Sequence, residues 1–314
     1  MRVAAIDIGT NTVLLLIAQR GGAGELVPVV ERATITRLGE GVDRSRALLP
    51  GAVDRTLACL EVYAAEIAGA RVDAVDVVGT SAMRDASPRE GESSFIARAT
   101  AILGVSPRIV SGDEEALLAF SGGLAGLGLA PGSVTAFDIG GGSTELIEGT
   151  VDGAPSHATL VRHRRSLDIG SVRLFERLVR SDPLGAPELA ALQAHVRGEL
   201  KTVAPPPDDQ PLVGMAGTVT TLAAIAREVD PYDAARIHGM RISSSDLGAV
   251  ARRLRTMPLP DRQRLPGLEP KRADVIPIGA VIVEEVLAWA RAREITVSDR
   301  GVRWGLAQRL AARG

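Results

Sequence analysis

The chain has 314 residues, 46% of them hydrophobic, which suffices for two domains with their own cores and excludes disorder as the main state. Its 36 Lys and Arg and 38 Asp and Glu give a net charge of -2, so no overall basic field favours nucleic-acid binding. Cys59 is the one cysteine, which excludes an intrachain disulfide and a Cys-based zinc cluster, and no stretch approaches the ~18 apolar residues of a membrane span. We expect a cytoplasmic protein that is neither exported nor anchored and that holds any anion locally.

The first half of the chain predicts alternating strands and helices. The predicted strands cover residues 2–8, 12–18, 74–78 and 108–110, and the predicted helices cover 50–69, 94–103 and a segment from 111. The first two strands flank a tight turn at residues 9–11 and form a predicted hairpin. Cys59 lies inside the first helix, where we interpret it as a core thiol. The alternation is typical of an α/β fold.

The opening of the chain recurs near its middle. Asp7-Ile8-Gly9 ends the first strand, and Asp138-Ile139-Gly140 ends a strand in the same strand-turn-strand context. Duplication of one module is the economical explanation, and the spacing from Asp7 to Asp138 then sets the register between the two copies. The intervening glycine-rich segment 124–132 lacks the G-x-G-x-x-G order and ends in Pro-Gly, which favours a domain junction over a nucleotide-binding loop.

The second half continues with the same kinds of element. The predicted strands cover 134–139, 145–149, 161–166 and 295–298, a strand-turn-helix covers 212–226, and helices cover 185–203, 280–291 and 301–312. The turn at residues 214–218 permits either an anion-binding nest or close packing of strand on helix.

The two repeated turns can bind phosphate. Gly, Ser, Thr and Asn turn several backbone N–H groups inward and add hydroxyl donors, and glycine allows close approach. The residues concerned are Thr10 and Asn11 in the first turn and Gly141, Gly142, Ser143 and Thr144 in the second. Two such turns on facing domains would grip one polyanion across an interdomain cleft. The alternative is that both are ordinary tight β-turns.

Carboxylates precede both turns. Asp7 and Asp138 would repel a nearby phosphate unless a cation lay between them, and Mg²⁺ held by carboxylates, water and substrate oxygens removes that conflict. Glu145 shares strand periodicity with Ser143, so it should point to the same side and offer a second carboxylate. The alternative for Glu145 is a solvated strand position.

A further acidic pair opens the helix that begins near Ser111. Ser111 and Glu114 fit the S-x-x-E capping pattern, which gives Glu114 a structural role. Glu115 has no such role and could orient and deprotonate a water that attacks phosphorus, although ordinary acidity at a helix start explains it as well. Arg84 follows a predicted strand end, where open α/β sheets place ligand contacts, yet it is one arginine among many.

Together these residues resemble the exopolyphosphatase and guanosine pentaphosphate phosphohydrolase family of the actin, Hsp70 and sugar-kinase superfold. The segments that carry the resemblance are 7–12, Arg84, 111–116, 138–145, 167–174, 238–239, 272–276 and 297–299. The resemblance covers essentially the whole chain. Ala216 stands where the family often has Gly and Trp304 where it often has Glu, which affects the nucleotide-side loop and the last helix.

The resemblance implies two ribonuclease-H-like domains, at 1–125 plus 300–314 and at 126–299. It also implies removal of the terminal phosphate from polyphosphate or from pppGpp with Mg²⁺ (or Mn²⁺). We further expect a homodimer. By this match Glu115 activates water, and Arg84 and the two turns hold phosphate. Asp138 and Glu145, with Asp7 as a further candidate, become the metal-side acids.

Other functions remain open on the sequence alone. A kinase or ATPase of the same superfold would need a purine pocket around residues 214–221, and a sensor would bind polyphosphate or alarmone without releasing phosphate. Residues 162–165, Arg-His-Arg-Arg, could track a polyanionic tail or form a solvated edge strand.

Overall fold

The computed structural model describes residues 1–22, 24–86, 90–152 and 159–313. The chain forms two compact units, residues 1–123 with 301–314 (unit 1) and residues 124–300 (unit 2). Each unit combines a mixed sheet with helices, so the predicted α/β fold class is confirmed. No helix in the described part of the chain is both long and apolar enough to cross a membrane.

Unit 1 is built on a mixed sheet with the strand order β3-β2-β1-β4-β5. Its strands are β1 (Arg2–Ile8), β2 (Thr12–Arg20), β3 (Leu26–Ile35), β4 (Ala74–Gly79) and β5 (Arg108–Ile109). Its helices are α1 (Val42–Ser45), α2 (Pro50–Ala70), α3 (Ser81–Asp85), α4 (Glu90–Leu103), α5 (Gly112–Leu124) and α13 (Val302–Ala311). The first three strands are antiparallel neighbours, and β4 and β5 join them in parallel.

Unit 2 repeats this order with one added edge strand, as β8-β7-β6-β9-β11-β10. Its strands are β6 (Gly132–Ile139), β7 (Thr144–Val151), β8 (Thr159–Leu167), β9 (Leu212–Met215), β10 (Arg241–Ser243) and β11 (Glu294–Val297). Its helices are α6 (Ser171–Leu178), α7 (Ala186–Leu200), α8 (Ala216–Ala226), α9 (Ala234–Ile237), α10 (Ser244–Thr256), α11 (Leu259–Arg262) and α12 (Ile276–Trp289), with a 3₁₀ turn at Pro270–Arg272.

The predicted duplication extends to details of the sheets. In both units three antiparallel strands are followed by parallel ones. The register between the second and third strands shifts at Ile17/Ala18 in unit 1 and at Glu148/Gly149 in unit 2, and these two places are equivalent in the register of the repeat. A bulge is a specific local feature of a strand pair, so its recurrence at matching positions supports one ancestral module.

Local sequence explains where several elements begin. Helix α2 starts at Pro50, whose missing N–H costs nothing in the first helical turn, and α12 starts at Ile276, earlier than predicted, because Pro277 is tolerated there for the same reason. No separate turn lies between β9 and α8: the strand ends at Met215 and the helix begins at Ala216, whose φ is 65°. Cys59 is buried in the core of unit 1 as expected, and burial raises the pKa of its thiol.

Helices α5 and α13 of unit 1 pack backbone against backbone through glycines. A Cβ at Gly122 would lie 2.2 Å from the carbonyl oxygen of Gly301, and a Cβ at Gly305 would lie 2.1 Å from that of Leu118. Helix α13 also packs on β1 and β2 and buries Trp304. The carboxyl-terminal helix therefore completes the fold of the amino-terminal unit.

Candidate active site

The first repeated turn joins β1 to β2, and its carbonyl groups accept hydrogen bonds from the segment that follows β3. The Gly9 N–H donates to the Thr12 carbonyl at 3.0 Å, which closes the turn. The Gly39 N–H donates to the carbonyl of Thr10 at 2.9 Å, and the N–H groups of residues 36 and 37 donate to the carbonyl of Asn11 at 3.1 and 3.0 Å. Gly39 makes this approach possible, because a Cβ there would lie 2.3 Å from Thr10 Cγ2.

The second turn, between β6 and β7, has the same construction. The Gly140 N–H donates to the Ser143 carbonyl at 2.9 Å, and the N–H groups of residues 171–173, at the start of α6, donate to the carbonyls of Gly140 and Gly141. Gly170 allows this contact, since a Cβ there would lie 2.3 Å from the Gly141 oxygen. Gly39 and Gly170 occupy equivalent positions of the repeat, so the support of each turn belongs to the duplicated module.

Hydrogen bonds hold the carbonyl groups of both turns on one side, so the N–H groups of the turns face the opposite side. Within the described residues, the backbone N–H groups of Thr10, Asn11, Gly141 and Gly142 donate to no backbone carbonyl. Successive N–H groups of this kind form a concave site for an oxyanion. Thr10 and Asn11 are each 8% exposed, and Asn11 Oδ1 has no hydrogen-bond partner in the described part of the chain. A buried polar atom without a partner indicates a position that a ligand or water completes.

The acidic residues of the second hairpin lie on one face of the sheet. Asp138 and Glu145 are directly opposite in the β6–β7 register, and directly opposite residues share a face. Ser143 Oγ donates to Glu145 Oε1 at 2.7 Å, so the predicted common side of Ser143 and Glu145 is confirmed. Glu145 is 2% exposed, and the alternative of a solvated strand position is therefore wrong.

Ser166, which the sequence analysis did not single out, also orients Glu145. Its hydroxyl donates to the same oxygen, Oε1, at 2.8 Å from the neighbouring strand β8. Two hydroxyl donors on one oxygen fix the rotamer of the carboxylate. The signal available in the sequence was a serine inside an otherwise basic strand, but the pairing of β7 with β8 was needed to interpret it.

The hydroxyl groups of the second turn are used inside the fold. Thr144 is fully buried, and its Oγ1 donates to the Ile169 carbonyl at 2.5 Å. The hydroxyl of Ser143 donates its proton to Glu145. With those protons committed, backbone N–H groups are the donors that this turn can offer to an anion, and the lone pairs of Ser143 Oγ can face a cation.

These oxygen donors fit a hard divalent cation. Mg²⁺ in proteins typically takes one or two carboxylates and fills its remaining positions with water and phosphate oxygens. Asp138, Glu145 and Ser143 supply two carboxylates and a hydroxyl oxygen on one hairpin. No group of three or more His, Cys, Asp or Glu side chains able to hold a metal occurs among the described residues. A cation here would therefore depend on substrate and water for its other ligands.

Asp7 differs from Asp138 in its surroundings. It is 8% exposed and opposite Leu14 in the β1–β2 register, where unit 2 has Glu145 opposite Asp138. The first hairpin thus carries one carboxylate at this level of the sheet and the second carries two.

Arg84 and Glu115 are brought together in unit 1. Arg84 lies on α3 directly after β4, and its Nη1 donates both to Glu115 Oε2 and, at 3.1 Å, to the Val110 carbonyl. The side chains are 21% and 11% exposed. A guanidinium held beside a carboxylate can bind an incoming phosphate and release that carboxylate to accept a proton.

Glu114 points elsewhere and has a structural role. Its N–H donates to Ser111 Oγ at 3.1 Å, which confirms the helix cap, but its carboxylate binds Arg108 and Arg309 instead of closing a capping box. Burial opposes ionisation of Glu114, yet hydrogen bonds from Arg309 and Arg108 outweigh it and lower its pKa. The adjacent residues Glu114 and Glu115 on α5 therefore bind different arginines, and Glu114 has a structural role.

Two other predicted sites have structural explanations. A Cβ at Gly214 would lie 2.8 Å from Phe137 Cζ and from Val219 Cγ1, so this glycine serves close packing of strand on helix. Residues 162–165 are exposed on β8, the edge strand of the unit 2 sheet in the described strand order. Their exposure fits a solvated edge strand and leaves the tracking of an anion open.

Comparison with known proteins identifies the family of the chain and several similar structures. The family model described as "Ppx/GppA phosphatase family" matches residues 16–313. Exopolyphosphatase 2 of Mycobacterium tuberculosis is 38% identical, over 99% of this chain and 98% of its own. The crystal structure of the Aquifex aeolicus Ppx/GppA family member is 32% identical, with a TM-score of 0.82 over 100% of this chain and 98% of its own. An exopolyphosphatase structure from Cytophaga hutchinsonii, 24% identical, shares the fold with a TM-score of 0.86 over 99% and 98% of the two chains.

Proposed function

The chain belongs to the Ppx/GppA phosphatase family, and from this membership we propose that it is an exopolyphosphatase, which hydrolyses the terminal phosphoanhydride of inorganic polyphosphate and releases orthophosphate. One observation carries the proposal. The carbonyls of both repeated turns are bound from behind, which leaves backbone N–H groups as oxyanion donors beside buried carboxylates. The similarity to an exopolyphosphatase supports the choice of polyphosphate.

The residues divide the chemistry between them. The N–H groups of Gly141 and Gly142 bind oxygens of the terminal phosphate, and Asp138 and Glu145 would hold Mg²⁺ (or Mn²⁺). The cation neutralises charge on the phosphate oxygens when it is bound. Arg84 binds a phosphate oxygen and exchanges its contact with Glu115 for that oxygen.

Glu115 then acts as the general base. Once Arg84 pairs with phosphate, the Glu115 carboxylate accepts a proton from the attacking water, which adds to phosphorus opposite the leaving chain. Replacing Glu115 with Gln keeps the shape and removes the base, so we expect orthophosphate release to fall by roughly 10²–10⁴-fold. Release from polyphosphate of defined length measures this.

Glu114→Gln is the matched control for that experiment. It changes the neighbouring glutamate, whose contacts are with Arg108 and Arg309, and should leave the rate nearly unchanged. Near-normal turnover in Glu115→Gln would remove the base assignment. If the wild-type protein releases phosphate from pppGpp but not from polyphosphate, the alternative substrate of the family is the correct one.

The remaining expectations are tested separately. We propose a cytoplasmic location and a homodimer, which cell fractionation and light scattering after size exclusion measure. Binding of polyphosphate without phosphate release, at any Mg²⁺ or Mn²⁺ concentration, would favour the sensor instead.

A further inference from the structure

The start of α6 is built into the second phosphate turn. The N–H groups of Ser171, Val172 and Arg173 donate to the carbonyls of Gly140 and Gly141 at 3.0, 2.9 and 3.0 Å. The first N–H groups of a helix have no partner inside the helix, and α6 has no side-chain cap. The turn carbonyls take the place of that cap. The positive end of the α6 dipole therefore lies directly behind the turn.

Arg173 extends this support to the next peptide. Its side chain is 5% exposed, and Nε donates to the Gly142 carbonyl at 2.6 Å. Asp168 lies 3.8 Å from Nη2, but its side chain is 75% exposed, where water screens the attraction strongly. Burying a guanidinium is costly unless its hydrogen bonds and charge are used. Here its Nε binds the carbonyl of a residue assigned to phosphate.

Resting on the proposed function, we propose that Arg173 is a positioning residue for the terminal phosphate. It holds the Gly142 peptide with its carbonyl turned inward, which fixes the direction of the turn and keeps its N–H groups toward the anion. Its buried guanidinium also places a positive charge behind those N–H groups. Arg173 acts through the turn, without touching the substrate.

The contacts described for the first turn are different. Backbone N–H groups of residues 36, 37 and 39 bind its carbonyls, and buried Val42 occupies the position that is equivalent to Arg173 in the register of the repeat. The arginine is therefore a feature of the second copy, the same copy that carries the two opposed carboxylates. We infer that the second turn binds the more highly charged end of the substrate.

The test measures binding apart from catalysis. In the Glu115→Gln background, calorimetric titration with tripolyphosphate and Mg²⁺ gives a Kd for the full chain and for Arg173→Met, Arg173→Gln and Arg173→Lys. Arg262→Met is the matched control. Arg262 is also a buried arginine of unit 2 whose Nε donates to a backbone carbonyl, that of Ala273 at 2.7 Å, and it plays no part in the turn.

We expect Arg173→Met, which loses both the hydrogen bond and the charge, to raise Kd by about tenfold or more. Arg173→Gln can keep a donor at the place of Nε and should raise Kd less, through the lost charge. Arg173→Lys keeps the charge and should recover part of the affinity. Arg262→Met should lower the melting temperature without raising Kd. In the active background, Arg173→Gln should raise KM more than it lowers kcat.

Either of two results would overturn the role of Arg173. One is an unchanged Kd in a folded Arg173→Gln or Arg173→Met variant. The other is a rise of Kd in Arg262→Met that equals the rise in Arg173→Met when both variants lose the same melting temperature. If the Met variant does not fold, the Kd of the Gln variant is the test, because Gln retains a side-chain N–H donor and is expected to fold. The proposed function fails independently, when the wild-type protein releases no phosphate from polyphosphate although tripolyphosphate binds in an Arg173-dependent way.

Discussion

The two hairpins share their framework and differ in their charges. Both have an aspartate before the turn, a glycine that closes it, a supporting glycine and a bulge, all at equivalent positions of the repeat. The aligned positions at which the copies diverge include Leu14 against Glu145 and Val42 against Arg173. The shared features shape the backbone, and the divergent ones place charge around it. Duplication thus explains the two equivalent turns, and the charged residues Glu145 and Arg173 distinguish the turn to which our proposal assigns the metal.

Among the changes that distinguish the two hairpins, the largest expected effect comes from removing the second carboxylate. Glu145→Gln should lower kcat by on the order of 10²–10³-fold, since stabilisation of phosphoryl charge by a metal contributes several kcal/mol. It should also raise the Mg²⁺ concentration needed for half-maximal activity. Orthophosphate release measured across a Mg²⁺ titration tests both. The second hairpin would then resemble the first, which has Leu14 at this place.

Glu285→Gln provides the control for Glu145→Gln. Glu285 is another buried carboxylate of unit 2, and both of its oxygens bind Arg197, at 2.6 and 2.8 Å. We expect a loss of stability with an unchanged Mg²⁺ requirement. If both variants change the Mg²⁺ dependence equally, the assignment of Glu145 to the cation is wrong.

A smaller effect is expected from replacing the glycines that support the turns, and it should differ between Gly39 and Gly170. A Cβ at Gly170 would collide with the backbone oxygen of Gly141, whereas a Cβ at Gly39 would meet the Thr10 methyl group. Backbone cannot move as cheaply as a side chain, so Gly170→Ala should cost about 1–3 kcal/mol of unfolding free energy and raise KM, and Gly39→Ala should do less of both. Urea unfolding and steady-state kinetics measure the two effects. Equal behaviour would show that the turns are supported alike.

The smallest effect concerns pH and the neighbouring glutamates of α5. The pKa of Glu114 is lower in the folded protein than its ordinary value of 4.5, so its ion pairs stabilise the fold above about that pH. That contribution disappears as the pH falls through the lowered folded pKa. Melting temperature measured between about pH 6 and pH 3 should therefore drop less steeply in Glu114→Gln than in the wild type. Parallel curves would contradict the assignment.

Much of the framework was predictable because it depends on local pattern. β-Branched runs around residues 9–11 predicted the hairpin, and the repeated Asp-Ile-Gly predicted the second one. Period-two spacing placed Ser143 and Glu145 on one side, which their hydrogen bond confirms. The helix cap at Ser111 followed from the same kind of short-range rule.

The contacts that tune the site depend on distant segments and could not be predicted this way. Ser166 reaches Glu145 only because β8 pairs with β7, and Arg173 reaches Gly142 only because α6 begins behind the turn. The hydroxyl of Thr144, predicted to face phosphate, instead donates to Ile169 in a later loop. Aligning the two copies residue by residue would have identified the pair Val42 and Arg173, because arginine in one copy opposite an apolar residue in the other is unusual at a buried position.

The glycine contact between α5 and α13 has a consequence for biosynthesis. Helix α13 packs on β1 and β2, which are translated before unit 2, yet α13 itself is translated after all of unit 2. At roughly 5–20 residues per second the nascent amino-terminal sheet waits on the order of ten seconds or more for its covering helix. During that interval unit 2 has time to fold, whereas unit 1 is completed only after α13 has been synthesised.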